Sequence, residues 1–403
     1  MRVAQVNVTC TAGSTGKICK AIGERLTERG DESYIFHVQA QPNTESLISC
    51  GTPAYIKAQA LRSRLLGNYG FNSQGATKRL IAHLERIRPD IVHLHNLHSH
   101  NAHLGLLFRY LKEKGIKVVW TFHDCWAFTG YCPHFVMAGC DKWRTGCEDC
   151  PQYRDHSFFF DRSRELYRKK KELFTGLDMT VVTPSRWLSE LARESFLKDY
   201  PVTVINNGID LSVFHPRESD FREKYGIPSD KHVLLGVAFD WGVRKGLDVF
   251  LRLAETLDPA GYQIVLVGTN DTVDKQLPAN IISIHRTQNQ QELAEIYSAA
   301  DLLLNPTRED NYPTVNMESL ACGTPVLTFR TGGSPEMLDE TCGVAVPCDD
   351  TEAFRREIFR ICEQRLFSAE RCVEKAREFD QNQKYKEYIE LYERVNSSRD
   401  QGN

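Results

Sequence analysis

The stretch DLLLNPTREDNYPTVNMESLACGTPVLTF, residues 301–329, sets the pattern of the whole chain. It opens on an apolar run, Leu302 to Leu304, and closes on another, Val326 to Phe329. Between them, Pro313 is placed as the first residue of a helix, where its missing N–H costs nothing. Gly323 stops that helix, and Pro325 keeps it from resuming. Strand, helix and strand in so short a span predict a parallel sheet, because the helix carries the chain back to start the next strand in the same direction.

The alternation extends in both directions. RVAQVNV (2–8) leads through a glycine-containing turn into GKICKAIGERLTERG (16–30), where Ile18, Ala21, Ile22 and Leu26 recur at helical spacing before Gly30. SYIFHV (33–38), DIVHLH (90–95), KVVWTFH (117–123), MTVVTPS (179–185) and VTVINNG (202–208) read as strands. KHVLLGVA (231–238), YQIVLVG (262–268) and NIISIH (280–285) repeat the rhythm, with helical runs such as GLDVFLRLAETL (246–257) between them. With 403 residues, two cores are expected rather than one. Asn206, Asn207 and Gly208 supply turn chemistry, and Pro216 ends the connection. The fold class is therefore α/β: two doubly wound domains, 1–207 and 208–380, with 381–403 forming a terminal helix and tail that could close either one. Ligands of such sheets bind beyond the carboxyl ends of the strands, so a cleft between domains is the expected site.

Composition narrows the function. Hydrophobic residues make up 41%, charged residues 26%, and the net charge is -3, which suits a soluble globular protein and not a basic nucleic-acid binder. No apolar run reaches the roughly 20 residues that span a bilayer, and MRVAQVNVTC reads as a strand, so a cytosolic protein is expected. The basic run RSRELYRKKKELF (162–174) reads as a solvated helix face.

The opening stretch also holds Asp310 before its helix and Glu318 inside it. The N–H groups of the first turn, around Thr314 and Val315, make an anion site beside both carboxylates. Such a site suits a phosphate-bearing, polyhydroxylated ligand; an acidic loop with one exposed helix glutamate accounts for the same residues.

DNYPTVNMESLACGTPV resembles the E-x7-E segment of the family 4 retaining glycosyltransferases, which have the GT-B fold. AGSTGK (12–17), WTFHD (120–124), NNGIDLSVF (206–214), RKGLDVF (244–250) and GGSPE (332–336) fall in that family's order. HDCWAFTGYC and the cysteines after it resemble the bacterial capsule, exopolysaccharide and colanic-acid sub-group. The resemblance implies that Glu318 binds the ribose of a nucleotide sugar and that Asp310, shorter than the family's glutamate, faces the transferred sugar. Backbone N–H groups from Asn311 through Tyr312 and Thr314 to Val315 would surround sugar hydroxyls and diphosphate. Lys245 stands where the family places a diphosphate lysine. Asp240 occupies the usual arginine position, which leaves Arg244 to share the charge. His123 would contact the donor sugar. Gly13 and Gly16 would let backbone approach a phosphate or the acceptor, although a tight turn explains them too. His95, Asn96 and His98 are acceptor-side candidates within HLHNLHSHNAH, whose histidines favour a loop over a metal site. The implied reaction is transfer with retention, without a protein nucleophile or catalytic metal, from a UDP- or GDP-sugar to a glycan or lipid-linked glycan. Such an enzyme would stand at the inner membrane face without a visible anchor.

Thirteen cysteines in a non-secreted chain argue against a disulfide framework. Cys132, Cys140, Cys147 and Cys150, spaced x7, x6 and x2, are candidate ligands of a structural zinc; reduced thiols or a redox disulfide are the alternatives. Two other functions stay open: a nucleotide-sugar epimerase on the same fold, and a nucleic-acid module gripping through the cysteine knuckle.

Overall fold

The computed structural model describes residues 1–38 and 43–397. The chain divides into two compact units: Met1–Asn206 together with the C-terminal residues from Lys384, and Asn207–Gln383.

The first unit is built on a seven-stranded sheet, β1 (Arg2–Val6), β2 (Glu32–His37), β3 (Leu47–Ser49), β4 (Ile91–Leu94), β5 (Lys117–Thr121), β6 (Met179–Thr183) and β7 (Val202–Val204). Its strand order is β3-β2-β1-β4-β5-β6-β7, and its ladders are parallel. Central strands are buried along their length: Ile91, Val92 and Leu94 of β4, and Val118, Val119 and Trp120 of β5, belong to the core. Such strands lack polar alternation because helices cover both faces.

The terminal helix Gln381–Ser397 supplies one of those covers. Tyr385, Tyr388, Ile389, Leu391 and Tyr392 pack with Val3, Ile18, Ile22, Leu26 and Val119. Each fully buried aliphatic side chain there contributes about 1.5–3 kcal/mol. The polar ends of the tyrosines are satisfied as well. Tyr392 Oη lies 2.6 Å from His93 Nδ1, and Tyr388 Oη lies 3.1 Å from Thr121 Oγ1. Lys117 Nζ donates to the carbonyls of Val395 and Asn396, a cation at the carbonyl end of the helix.

The second unit holds six parallel strands, β8 (His232–Val237), β9 (Tyr262–Val267), β10 (Ile281–Ile284), β11 (Leu302–Asn305), β12 (Val326–Phe329) and β13 (Gly343–Val346). Their order is β10-β9-β8-β11-β12-β13. One core, on one face of the sheet, gathers Val233, Leu235, Leu303 and Met317; the other gathers Leu234, Phe250, Leu304 and Phe354. Alternate residues of β8 and β11 thus feed opposite cores, which is the period-2 geometry of a strand covered on both sides.

The helix after β11 spans Thr314–Ala321 with Pro313 as its N-cap, one position outside the helix and not its first residue as expected. Pro313 has φ -69°, helix-compatible, but ψ 117°, extended, so the helix starts after it. The two strands the sequence hid, β3 and β13, are edge strands of three and four residues.

Candidate functional site

Both sheets reverse their strand order beside their first strand, between β1 and β4 and between β8 and β11. The loops leaving those strands diverge there and leave room for a ligand. The candidate residues gather at these two places.

In the second unit, Lys245 follows β8 and Asp310 follows β11. Lys245 Nζ lies 2.5 Å from Asp310 Oδ2, and both side chains are only partly exposed. Arg244 Nη1 donates to the Glu309 carbonyl at 3.3 Å, and its own carbonyl accepts from Arg308 N at 2.9 Å. The loop after β12 closes over the same place. Gly333 N donates to Asn311 O at 3.0 Å, and Thr331 Oγ1 donates to Thr307 O at 2.7 Å. Asn311 and Tyr312 are buried, so what they offer a ligand is main chain. Thr314 and Val315 stand at the N-terminus of the helix, with N–H groups available to an anion. Glu318 sits farther along the same helix and is held by Tyr297, whose hydroxyl donates to Glu318 Oε2 at 3.0 Å. Burial, followed by the Glu318 charge, drives the Tyr297 phenol pKa far above its ordinary range, so it stays a donor.

Sequence reasoning missed Arg308. Its guanidinium meets both carboxylate oxygens of Asp248 at 2.8 and 2.7 Å, while Nε donates to Asp349 at 2.7 Å. This fork fixes the loop after β11 against the helix that begins at Leu247, and so fixes Asp310 relative to Lys245. No local signal marks Arg308, because its partners are 60 and 41 residues away.

In the first unit, β4 runs out into His95 and Asn96, and β5 runs out into His123 and Asp124. His95 Nδ1 lies 3.1 Å from His123 Nε2, and His95 Nε2 lies 3.3 Å from Gln5 Oε1. Burial pushes the pKa of His95 well below its ordinary value and that of His123 down to about 4, so both are neutral at pH 7. His98 Nε2 meets Asp124 Oδ2 at 2.8 Å. Burial raises the Asp124 pKa, but His98, His134 and the Trp126 N–H together outweigh it and hold the carboxyl at about 2. A cavity lined by His95, Asn96, His98, His123 and Asp124 opens at this sheet edge. Asn96 N donates to Asn7 Oδ1 at 3.4 Å, which joins β4 to the turn after β1. Gly13 opens the helix Gly13–Glu28 in that turn. A Cβ at Gly16 would stand 2.4 Å from Thr9 Oγ1, so the helix rests directly on the loop.

A family model described as Glycosyltransferase Family 4 matches residues 16–213, and one described as Glycosyl transferases group 1 matches residues 231–364. The chain is a family 4 glycosyltransferase. A relative named putative colanic acid biosynthesis glycosyl transferase WcaC, from Escherichia coli K12, is 25% identical over 86% of this chain and 87% of its own length. That relative matches the sub-group resemblance carried by HDCWAFTGYC. The fold is GT-B. The structure of sucrose-phosphate synthase from Thermosynechococcus elongatus superposes with TM-score 0.73 at 18% identity, over 98% of this chain and 99% of that one. Anabaena HepE, solved with UDP and glucose, superposes with TM-score 0.67 at 13% identity, over 97% and 99%.

The glycosyltransferase thus brings Lys245, Arg244, Asp310 and Asn311 together in its second unit, with Thr314 and Glu318 on the helix that follows. It brings His95, Asn96, His98 and His123 together in its first, where Gly13 and Gly16 lie on the helix after β1. Gly13 and Gly16, expected on the donor side, share a unit with the histidines expected on the acceptor side. In the basic run 162–174, Arg162, Arg164, Arg168 and Lys171 are exposed, as expected of a solvated face, and Lys170 departs from it by being fully buried. The four candidate metal cysteines line one small cavity of about 20 Å³ in the first unit. Among the described residues, no helix is long and apolar enough to cross a membrane.

Proposed function

We propose that the protein is a retaining glycosyltransferase of surface-polysaccharide assembly, moving a hexose from a UDP- or GDP-sugar to a growing, lipid-linked oligosaccharide. The observation that carries this reading is the Lys245–Asp310 pair beside the helix N-terminus at Thr314, with Glu318 farther along the same helix. Glu318 takes the ribose hydroxyls, and the first-turn N–H groups take the diphosphate. As the glycosyl–phosphate bond breaks, Lys245 and Arg244 neutralise charge on the departing diphosphate. Asp310 orients the sugar. Its carboxylate is already engaged by Lys245, which makes it a poor nucleophile and supports attack by the acceptor hydroxyl from the side of the leaving group. The hydroxyl proton passes to the departing phosphate oxygen. Positioning of the two substrates then supplies most of the rate. The neighbours' names and ligands, colanic acid biosynthesis for one and UDP with glucose for another, support the same substrate classes.

A lipid-linked acceptor fits an apolar patch on the first unit. Phe158, Phe159 and Phe160 are 46%, 65% and 51% exposed, and Leu61, Leu65 and Leu66 of the helix Pro53–Leu66 are exposed beside them. Phe158 N donates to Arg64 O, and the Arg64 guanidinium lies over the Phe158 ring. Apolar side chains flanked by arginines suit the interface of an anionic bilayer, so the enzyme works as a peripheral protein at the inner membrane face.

The deciding experiment supplies UDP- and GDP-sugars with a lipid-linked acceptor and reads the product by NMR. Transfer with the donor's anomeric configuration kept is expected. An inverted product would refute retention, and an isomerised sugar nucleotide formed without acceptor would make the enzyme an epimerase.

A further inference from the structure

The segment from Thr129 to Tyr153 packs against the first unit with little secondary structure of its own; its one regular element within those bounds is the turn Lys142–Arg144. A long loop without helix or strand needs some other constraint to hold one conformation. Cys132, Cys140, Cys147 and Cys150 surround a cavity inside it, large enough for a single small occupant, with Phe135 and Trp143 as apolar walls. Cys132 Sγ and Cys150 Sγ stand 3.8 Å apart. That is far beyond a disulfide bond of about 2.05 Å. It equals the edge of a zinc–thiolate tetrahedron, about 3.8 Å when Zn–S is about 2.3 Å. Cys147 Sγ accepts from Gly130 N at 3.2 Å, and Cys150 N donates to Asp161 Oδ2 at 2.6 Å, so the backbone on both sides of the pair is held. Among the described residues no third thiol lies within 4.8 Å of both members of the closest pair, so Cys140 and Cys147 must rotate inward to complete four-fold coordination.

Lys170 makes an independent case. Its side chain is completely buried, its ammonium lies 3.5 Å from the centre of the Trp126 ring, and it donates to the carbonyls of Trp126 and Thr129. Those carbonyls belong to the backbone that leads into the cysteine segment. Among the described residues no carboxylate forms an ion pair with Lys170, and a buried ammonium without a counter-charge is strongly disfavoured. Burial pushes the Lys170 pKa well below its ordinary value, and the groups that oppose this are Cys147 first, then Asp124 and Cys132. Zinc held by four thiolates carries a net charge of about -2, so it would supply the missing negative charge where the lysine is buried.

We propose that Cys132, Cys140, Cys147 and Cys150 hold a structural zinc ion, with Lys170 as its buried counter-cation. Binding releases the four thiol protons, and no redox change is involved. With four cysteine ligands the ion has no open position, so it fixes the loop and takes no part in sugar transfer.

The test uses the full chain, purified without chelator. Mass spectrometry of the metal should find one zinc per chain, and a thiol-modifying mercurial should release it. Cobalt substituted for zinc should show thiolate-to-metal charge transfer and tetrahedral ligand-field bands. Cys147→Ser should lose the metal; if that variant does not fold, Lys170→Met gives a second reading, a zinc affinity lowered about 10- to 100-fold. Cys348→Ser, at an exposed cysteine outside the set, should keep full zinc content. A metal-free protein that takes up neither ion would overturn the proposal, as would a Cys132–Cys150 disulfide found by peptide mapping.

Discussion

Gly332 lies directly against Asp310: a Cβ on Gly332 would stand 1.7 Å from the Asp310 carbonyl oxygen. The glycine also has φ +54°, in the left-handed region. The loop after β12 can therefore support the loop after β11 only with no side chain at this position. Gly332→Ala is expected to push the Asp310 loop away from Lys245. Thermal unfolding should show a loss of at least about 2 kcal/mol, and sugar transfer should fall more steeply than stability alone explains. A variant with unchanged transfer would show that the contact does not position Asp310.

Lys245 makes a different demand, because its side chain is partly exposed and its ion pair adds little to folding. Lys245→Ala should keep its melting temperature within a degree or two and lose about 100-fold or more in kcat. Lys245→Arg should recover part of that loss, since the charge is kept while the geometry changes. Equal losses in the two variants would point to a steric role.

The neutral histidines of the first unit set a pH dependence. The unfolded chain takes up protons near the ordinary histidine value of about 6.5. Folded His123 does so only at about 4. Between those values the unfolded state binds more protons, so stability present above pH 6.5 is lost as pH falls toward 4. His123 alone contributes roughly 1–2 kcal/mol of loss by pH 5, and buried His95 adds to it in the same direction. Urea midpoints at pH 5 should lie below those at pH 7.5, and His123→Gln should narrow the gap. Identical gaps in native and variant chains would contradict this account.

The terminal helix gives a fourth expectation. Tyr392→Phe removes the hydroxyl 2.6 Å from His93 Nδ1 and leaves a buried ring nitrogen without that partner. The unfolding transition of the first unit should weaken by about 1–3 kcal/mol, with nucleotide binding unchanged. Weakened nucleotide binding would be the contrary outcome.

Much of this architecture was legible because parallel strands buried on both faces leave continuous apolar runs, as in Leu302–Leu304 and Val233–Leu235. The edge strands Leu47–Ser49 and Gly343–Val346 left no such run, since they are short and only partly buried. Pro313 marked the helix start but misplaced it by one residue, because proline fixes φ and leaves ψ free. In the site, Lys245, Asp310 and Glu318 stood out through ordered motifs. Tyr297, Arg308 and buried Lys170 did not. Each owes its role to partners brought near by folding, and Lys170 sits in a run whose charge reads as surface.

The most direct test of the donor site is calorimetric titration of UDP, GDP and ADP, and their sugars, into the native chain and Glu318→Ala. One nucleotide class should bind the native protein, and the variant should bind it at least tenfold more weakly, as expected when hydrogen bonds to a charged group are lost. Equal binding by the two chains would remove Glu318 from the donor site and contradict the account.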